Sequence, residues 1–141
     1  MVGDLLQRCL FFTANSLARV MTSLANDEFK STGLSPHYAF IVMLICEKPG
    51  ITQKEICEYL QLTPSTITRF VDKLEGKHLV KRTVDGKNVL LEPTTEGQAL
   101  LSGIQAAWER LCDRYTKVLG HEERSKLISL IGNAIEKLES K

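Results

Sequence analysis

The sequence predicts a mainly α-helical protein with one small β-hairpin, an α+β chain in 141 residues. Three observations point there. Two short helical patterns, each with its own N-cap, follow one another between Thr52 and Glu75. A basic hairpin pattern comes next and ends at Pro93, and long amphipathic helical patterns lie on both sides of this block. Two capped helices at a tight turn followed by a ribbon make a winged helix-turn-helix, a unit that sets one helix in the major groove of DNA. The flanking helices are then expected to serve dimerisation.

The first helix is expected from Asp4 to about Phe29, with Leu6, Leu10, Thr13, Leu17, Val20, Met21 and Leu24 at helical spacing. Ser35-Pro36 opens a second, whose run from Ala39 to Cys46 is apolar all round, as a buried central helix requires. Lys48-Pro49-Gly50 ends it. Thr52 and Glu55 then form a Thr-x-x-Glu capping box, with Ile51 and Ile56 placed for a hydrophobic staple. That third helix should end near Tyr59 to Gln61.

The fourth helix begins at the N-cap Thr63, with Pro64 at its first position and Leu62 and Ile67 spaced for a second staple. Ile67, Phe70, Val71 and Leu74 make one buried stripe, and Ser65, Thr66, Thr68, Arg69, Asp72 and Lys73 fill the opposite face. An ordinary solvated face has the same composition. The capped partner helix one turn away is what points to a reading surface for bases and phosphates.

After Gly76 come two β-prone runs, His78 to Val84 and Lys87 to Leu91, around Asp85-Gly86. Asp-Gly between such runs signals a tight hairpin with both central residues at positive φ. Lys81, Arg82 and Lys87 surround the tip, where a cationic ribbon can follow a phosphate backbone or enter a minor groove. Pro93 has no N–H for a ladder and should end the strand. From Thr63 to Asn88 six Lys or Arg face three acids, so this segment carries +3 while the whole chain is +1 and the remainder −2. Positive charge is thus focused where the motif lies.

Beyond Thr94 a long helix is expected to about Leu119, with Leu100, Leu101, Ile104, Ala107, Trp108, Leu111, Tyr115 and Val118 inward, and Gly120 as its stop. A last helix from about Glu122 to Leu138 presents Leu127, Ile128, Ile131, Ala134, Ile135 and Leu138. These terminal faces either complete the core of one chain or pair two chains. A single short reader gives weak specificity, which favours the homodimer. The chain divides as 1–33, an N-terminal helix of the dimerisation region; 34–96, the winged helix-turn-helix; and 97–141, the long and C-terminal helices, all in one structural domain. The apolar run of eight residues is too short for a membrane span, no signal peptide is read at the N-terminus, and no membrane partner is expected.

The whole chain resembles the MarR family of bacterial transcription regulators. The resemblance is carried by the order of elements, by the run from Thr63 to Glu75, by Leu79-Val80-Lys81-Arg82, by Asp85-Gly86-Lys87 and by Pro93-Thr94-Thr95-Glu96-Gly97. It implies a two-fold dimer held by the first and last helices. It also implies a recognition helix carrying Ser65, Thr66, Thr68 and Arg69 towards bases, with phosphate contacts from Gln53 and Lys54. With Lys73, Arg82, Asp85 and Lys87, these residues form the expected interface with double-stranded DNA. Two features depart from the pattern: Lys87 stands where the family's wing has an arginine, and only Thr83 and Val84 separate Arg82 from Asp85. Lysine lacks the planar fork of arginine, so preference for a narrow minor groove should be weaker. Asp85 either pairs with a nearby cation or serves only the turn.

Two inputs are open. Many relatives resemble one another in binding a small phenolic or amphipathic molecule in the crevice between dimer lobe and reader. A second subgroup senses peroxides through a cysteine early in the first helix, and Leu6 to Phe12 around Cys9 is similar to it, with Tyr38 available as a partner hydroxyl. That subgroup's second tyrosine is missing, and Arg8 does not share the helix face of Cys9. A cysteine between Leu6 and Leu10 also suits plain core. Cys46, Cys57 and Cys112 show no zinc spacing, and His37, His78 and His121 are scattered. No catalytic constellation, metal site or cofactor motif is found, so no enzyme is expected. With no secretion signal read, the four thiols should be reduced and the protein cytoplasmic. The expected function is a sequence-specific DNA-binding regulator, a homodimeric repressor released from a pseudo-palindrome by a small ligand. The alternatives are a Cys9 peroxide sensor on the same scaffold and a winged-helix protein adaptor without DNA.

Overall fold

The computed structural model describes residues 1–140. It is three-quarters helical with a three-stranded antiparallel sheet, a winged helix carried between long helices. The elements run α1 (Val2–Gln7), α2 (Leu10–Phe29), a 3-10 turn (Lys30–Thr32), α3 (Pro36–Glu47), β1 (Ile51–Thr52), α4 (Gln53–Leu60), α5 (Pro64–Gly76), β2 (Val80–Asp85), β3 (Asn88–Pro93), α6 (Thr95–Ala99), α7 (Leu101–Leu119) and α8 (His121–Glu139).

The core gathers around α3. Ala39, Ile41, Val42 and Ile45 are fully buried and meet Phe29 from α2, Ile56 from α4, Ile67, Val71 and Leu74 from α5, Leu91 from β3, and Ile104 and Ala107 from α7. An all-apolar helix is stable only where every side is covered, and here α2, α6, α7 and β3 cover it.

Both predicted caps form. Thr52 Oγ1 accepts from the Glu55 amide at 3.1 Å while the Thr52 amide donates to Glu55 Oε1 at 3.2 Å, so the capping box is complete. Thr63 Oγ1 accepts from the Thr66 amide at the start of α5, with Pro64 at the first turn. α4 stops at Gln61, which takes the left-handed conformation at φ 54°.

Several expectations are corrected. The N-terminal helix is broken at Arg8 and Cys9, whose extended backbone begins α2. Nothing buries α1, and six residues without packing cannot hold a helix in line with the next. Cys9 is consequently exposed at the N-cap of α2 rather than set in a core stripe. The helix after Thr94 is interrupted at Leu100. α6 is tied to the hairpin base by Thr94, whose amide donates to Leu79 O and whose hydroxyl donates to His78 O, while α7 packs on α2 and α3. Trp108 is 44% exposed and Val118 81% exposed, so α7 has a narrower inward face of Ile104, Ala107 and Leu111.

The hairpin also gains a third strand. Gly50 N–H donates to Leu91 O, and Ile51 and Thr52 pair with Leu91 and Leu90 before α4 begins. Its two-residue turn is Gly86-Lys87, closed by Asp85 opposite Asn88. Only Gly86, the first central residue, has positive φ, the II′ pattern, because Asp85 is still the last paired residue of β2.

Candidate nucleic-acid interface

α5 presents Ser65, Thr68, Arg69, Asp72 and Lys73 on one exposed face, with Ile67, Val71 and Leu74 fully buried behind them. Thr66 is half-buried, and its hydroxyl lies 2.9 Å from that of Thr63. Phe70, expected in the buried stripe, is half-buried and leans on Tyr38 and His37 of α3, with ring centroids at 4.7 and 6.3 Å. The guanidinium of Arg69 rests 5.8 Å from the Phe70 ring, and Lys73 Nζ lies 5.9 Å from that of Tyr38. Cations over aromatic faces keep their charge towards solvent while losing some side-chain freedom.

Beside this face, Lys81, Asp85 and Lys87 are exposed on the hairpin, and Lys54 is exposed on the first turn of α4. Asp85 makes no ion pair among the described residues and stands opposite Asn88, which is the turn role of the two held open above. Lys87 is the second residue of the turn, at the outer tip.

Arg82 behaves differently from the other cations. It is only 24% exposed, and its guanidinium points into the protein. Nη2 meets Asp72 Oδ1 at 2.6 Å and Thr68 O at 3.4 Å; Nη1 meets Glu75 Oε1 at 3.2 Å; Nε donates to Gln53 Oε1 at 3.0 Å. Gln53 Nε2 in turn donates to Thr68 Oγ1 at 3.2 Å. This network was not anticipated, although strand alternation signals it: Arg82 shares the face of buried Val80, whereas Lys81 points the other way.

Glu55 has a second partner in Lys48, which closes the end of α3 onto the start of α4. That bond, then the Thr52 amide, holds the Glu55 carboxyl below its ordinary range, and the same bond raises Lys48. The cysteines form no cluster. Burial pushes the Cys46 thiol up, while the hydroxyl of Tyr115 donates to Cys112 Sγ at 3.3 Å. Tyr38 is packed on Phe70 and makes no hydrogen bond to Cys9 among the described residues.

The family model described as MarR family matches residues 34–88, from two residues before α3 to the first residue of β3. Residues 34–88 belong to the MarR family. The whole chain is similar to the HTH-type transcriptional regulator YybA of Bacillus subtilis, 24% identical over 126 residues that cover 87% of this chain and 84% of YybA. The HTH-type transcriptional repressor YetL of Bacillus subtilis is 27% identical, over 92% of this chain and 80% of its own. The repressor CouR bound to a 23-mer DNA duplex has a similar fold, with a TM-score of 0.84 at 24% identity over 96% of this chain and 97% of CouR. CouR from Rhodococcus jostii RHA1 bound to p-coumaroyl-CoA gives a TM-score of 0.75 at 24% identity, over 94% and 93%. The family matched by residues 34–88 and the curated relatives are transcriptional regulators rather than enzymes.

Proposed function

We propose that this chain is a homodimeric, sequence-specific DNA-binding repressor that a small phenolic or amphipathic ligand releases from its operator. One observation carries the DNA reading: the face with Ser65, Thr68, Arg69 and Lys73 lies exposed beside Lys81 and Lys87, within a segment of +3 in a near-neutral chain. Arginine and lysine supply base and phosphate contacts, and hydroxyls at the start of a helix supply more. Gln53 and Lys54 sit at the first turn of α4, where helix N-termini favour phosphate.

Dimerisation is supported by apolar surface at both chain ends. An open groove of about 520 Å³ runs between α2 and α8, lined by Leu10, Ala14, Leu17, Met21, Leu127 and Ile131. α8 buries none of its side chains, and Leu130 and Leu138 are 67% and 72% exposed. Apolar surface left open on this scale marks an association site. Two readers related by a two-fold axis would address half-sites about one helical turn, roughly 10 bp, apart.

The ligand reading rests on a crevice of about 300 Å³ bounded by Met21, Ala25, Pro36, His37, Phe40 and Leu111. His37 lines it and also packs on Phe70 of the recognition helix, so occupancy and reading share a side chain. CouR, similar in fold, is known bound to DNA and to p-coumaroyl-CoA. A regulator working on operator DNA would act in the cytoplasm. No helix among the described residues is long and apolar enough to cross a membrane.

A fluorescence-anisotropy titration against DNA upstream of the chain's own gene, at two salt concentrations, tests the reading. Tight binding that weakens steeply with salt and is reversed by a phenolic thioester or acid supports it. Binding absent at low salt makes the chain a protein adaptor instead. A second reading, Cys9 as a sensor of organic peroxide, is favoured by the exposure of that thiol. Its thiolate would cleave the O–O bond to give a sulfenic acid and an alcohol. Cys9→Ser should then bind the same operator and ignore peroxide, and normal peroxide release by the mutant sinks this reading.

A further inference from the structure

We propose that Arg82 is a positioning residue, which joins wing, α4 and recognition helix into one unit and fixes Gln53 and Thr68 as hydrogen-bond donors towards DNA. The inference deepens the DNA reading above and rests on it.

The geometry leaves Arg82 little to offer a phosphate. Each of its three guanidinium nitrogens has a partner in the protein, and it stands between two carboxylates, so Arg82, Asp72 and Glu75 together carry −1. An arginine acting as a phosphate contact presents its fork to solvent, whereas this fork is turned onto α5 and α4. What Arg82 does determine is the orientation of an amide. The Nε–H can be met only by an acceptor, so Gln53 must turn its oxygen to Arg82 and its NH2 away. One of those two N–H groups reaches Thr68 Oγ1, and the other is left over. The Thr68 hydroxyl, having accepted from Gln53, keeps its own hydrogen to give.

Both polar side chains at the junction of α4 and α5 are thereby set as donors. A reader built this way requires acceptors opposite these two positions: phosphate oxygens, purine N7, guanine O6 or thymine O4. It disfavours the exocyclic amines of adenine and cytosine there. Without Arg82 the Gln53 amide is free to flip, and the hairpin loses its only ion pairs to α5 among the described residues.

The test uses the full chain and a duplex enriched by the wild-type protein from a random-sequence pool. Affinities are measured over a range of salt for Arg82→Ala, Arg82→Lys, Gln53→Ala, Gln53→Glu, Lys87→Ala and the double variant Arg82→Ala with Gln53→Ala. Arg82→Ala should weaken binding by about tenfold or more while its salt slope stays that of the wild type. Arg82→Lys should not restore it, since one ammonium cannot serve the amide and both acids. The double variant should bind no worse than Arg82→Ala alone, and Gln53→Glu, which has no N–H to give, should bind worse than Gln53→Ala.

A direct phosphate contact would instead lower the salt slope by about one, let lysine substitute, and make the two single losses multiply. That pattern overturns the proposal. An NMR measurement without DNA stands apart from both. The Arg82 Nε–H should be protected from exchange in the wild type and become exposed in Gln53→Ala, and rapid exchange in the wild type also overturns it. If Arg82→Ala does not fold, Gln53→Glu and the NMR arm decide. A pool that yields no duplex removes the DNA reading and its donor role with it, while the NMR arm still tells whether Arg82 holds the amide.

Discussion

Arg69 and Lys87 belong to one surface and should fail differently. Arg69 stands on the exposed face of α5 with its guanidinium over the Phe70 ring, and in the proposed reading it meets base edges. Arg69→Ala should cost about 1–3 kcal/mol of operator binding and blur specificity at one or two base pairs, as binding to a set of single-base operator variants would show. Lys87 sits at the outer tip of the two-residue turn. Lys87→Ala should weaken all duplexes evenly and reduce the salt slope by about one. Thr52 and Glu55 act on the fold instead. Thr52→Ala removes a cap and should lower stability by about 1 kcal/mol in a urea titration. Because its folded carboxyl is held low, Glu55 contributes above its unfolded titration range, and the contribution vanishes as pH falls through the folded value. The protection of amides at the start of α4, taken relative to their intrinsic exchange rate at each pH, should therefore fall on acidification below the ordinary carboxylate range. Raised Lys48 has the opposite sign: its share is complete below its unfolded value and disappears as pH rises through the folded one.

Elements here are joined by close approaches as much as by side-chain packing. A Cβ on Gly97 would lie 2.2 Å from the carbonyl oxygen of Leu79, so α6 can sit against the hairpin base only with glycine there. Gly97→Ala must push α6 off Leu79 and should destabilise by about 1–3 kcal/mol, measured by thermal or urea unfolding. Gln61 shows the reverse case, a left-handed cap without glycine, and Gln61→Gly should stabilise by up to about 1 kcal/mol in the same assay. The two caps, the stripe Ile67, Val71 and Leu74, and the end of β3 at Pro93 were legible in the sequence, because each follows from local spacing. The broken N-terminal helix, the interruption at Leu100 and the strand Ile51–Thr52 were not. Each is decided by a partner distant in sequence: Leu91 for β1, Leu79 for α6, and the lack of any for α1. Within the site the exposed face of α5 was legible for the same local reason. The inward turn of Arg82 depends on Asp72, Glu75 and Gln53, which only the tertiary arrangement brings together.

At the scale of the whole molecule, the readers and the apolar chain ends lie on different elements, so association and reading can be separated by mutation. Ile131→Glu on α8 should leave the winged helix folded, convert the proposed dimer to monomer in sedimentation, and weaken operator binding far more than binding to a half-site. His37 and Phe70 offer the other separation. Phe70→Leu keeps an apolar residue but loses the ring stack to α3, and should reduce ligand-induced release more than it reduces ligand binding.

The uncovered α8 also carries a quantitative consequence. A helix that finishes burying its apolar side only against a second copy makes pairing second-order in the chain. The amount of competent reader would then rise as the square of chain concentration at low abundance, and only linearly once most chains are paired. A gene that the chain itself controls would answer to its rate of synthesis with a threshold, before any ligand is present.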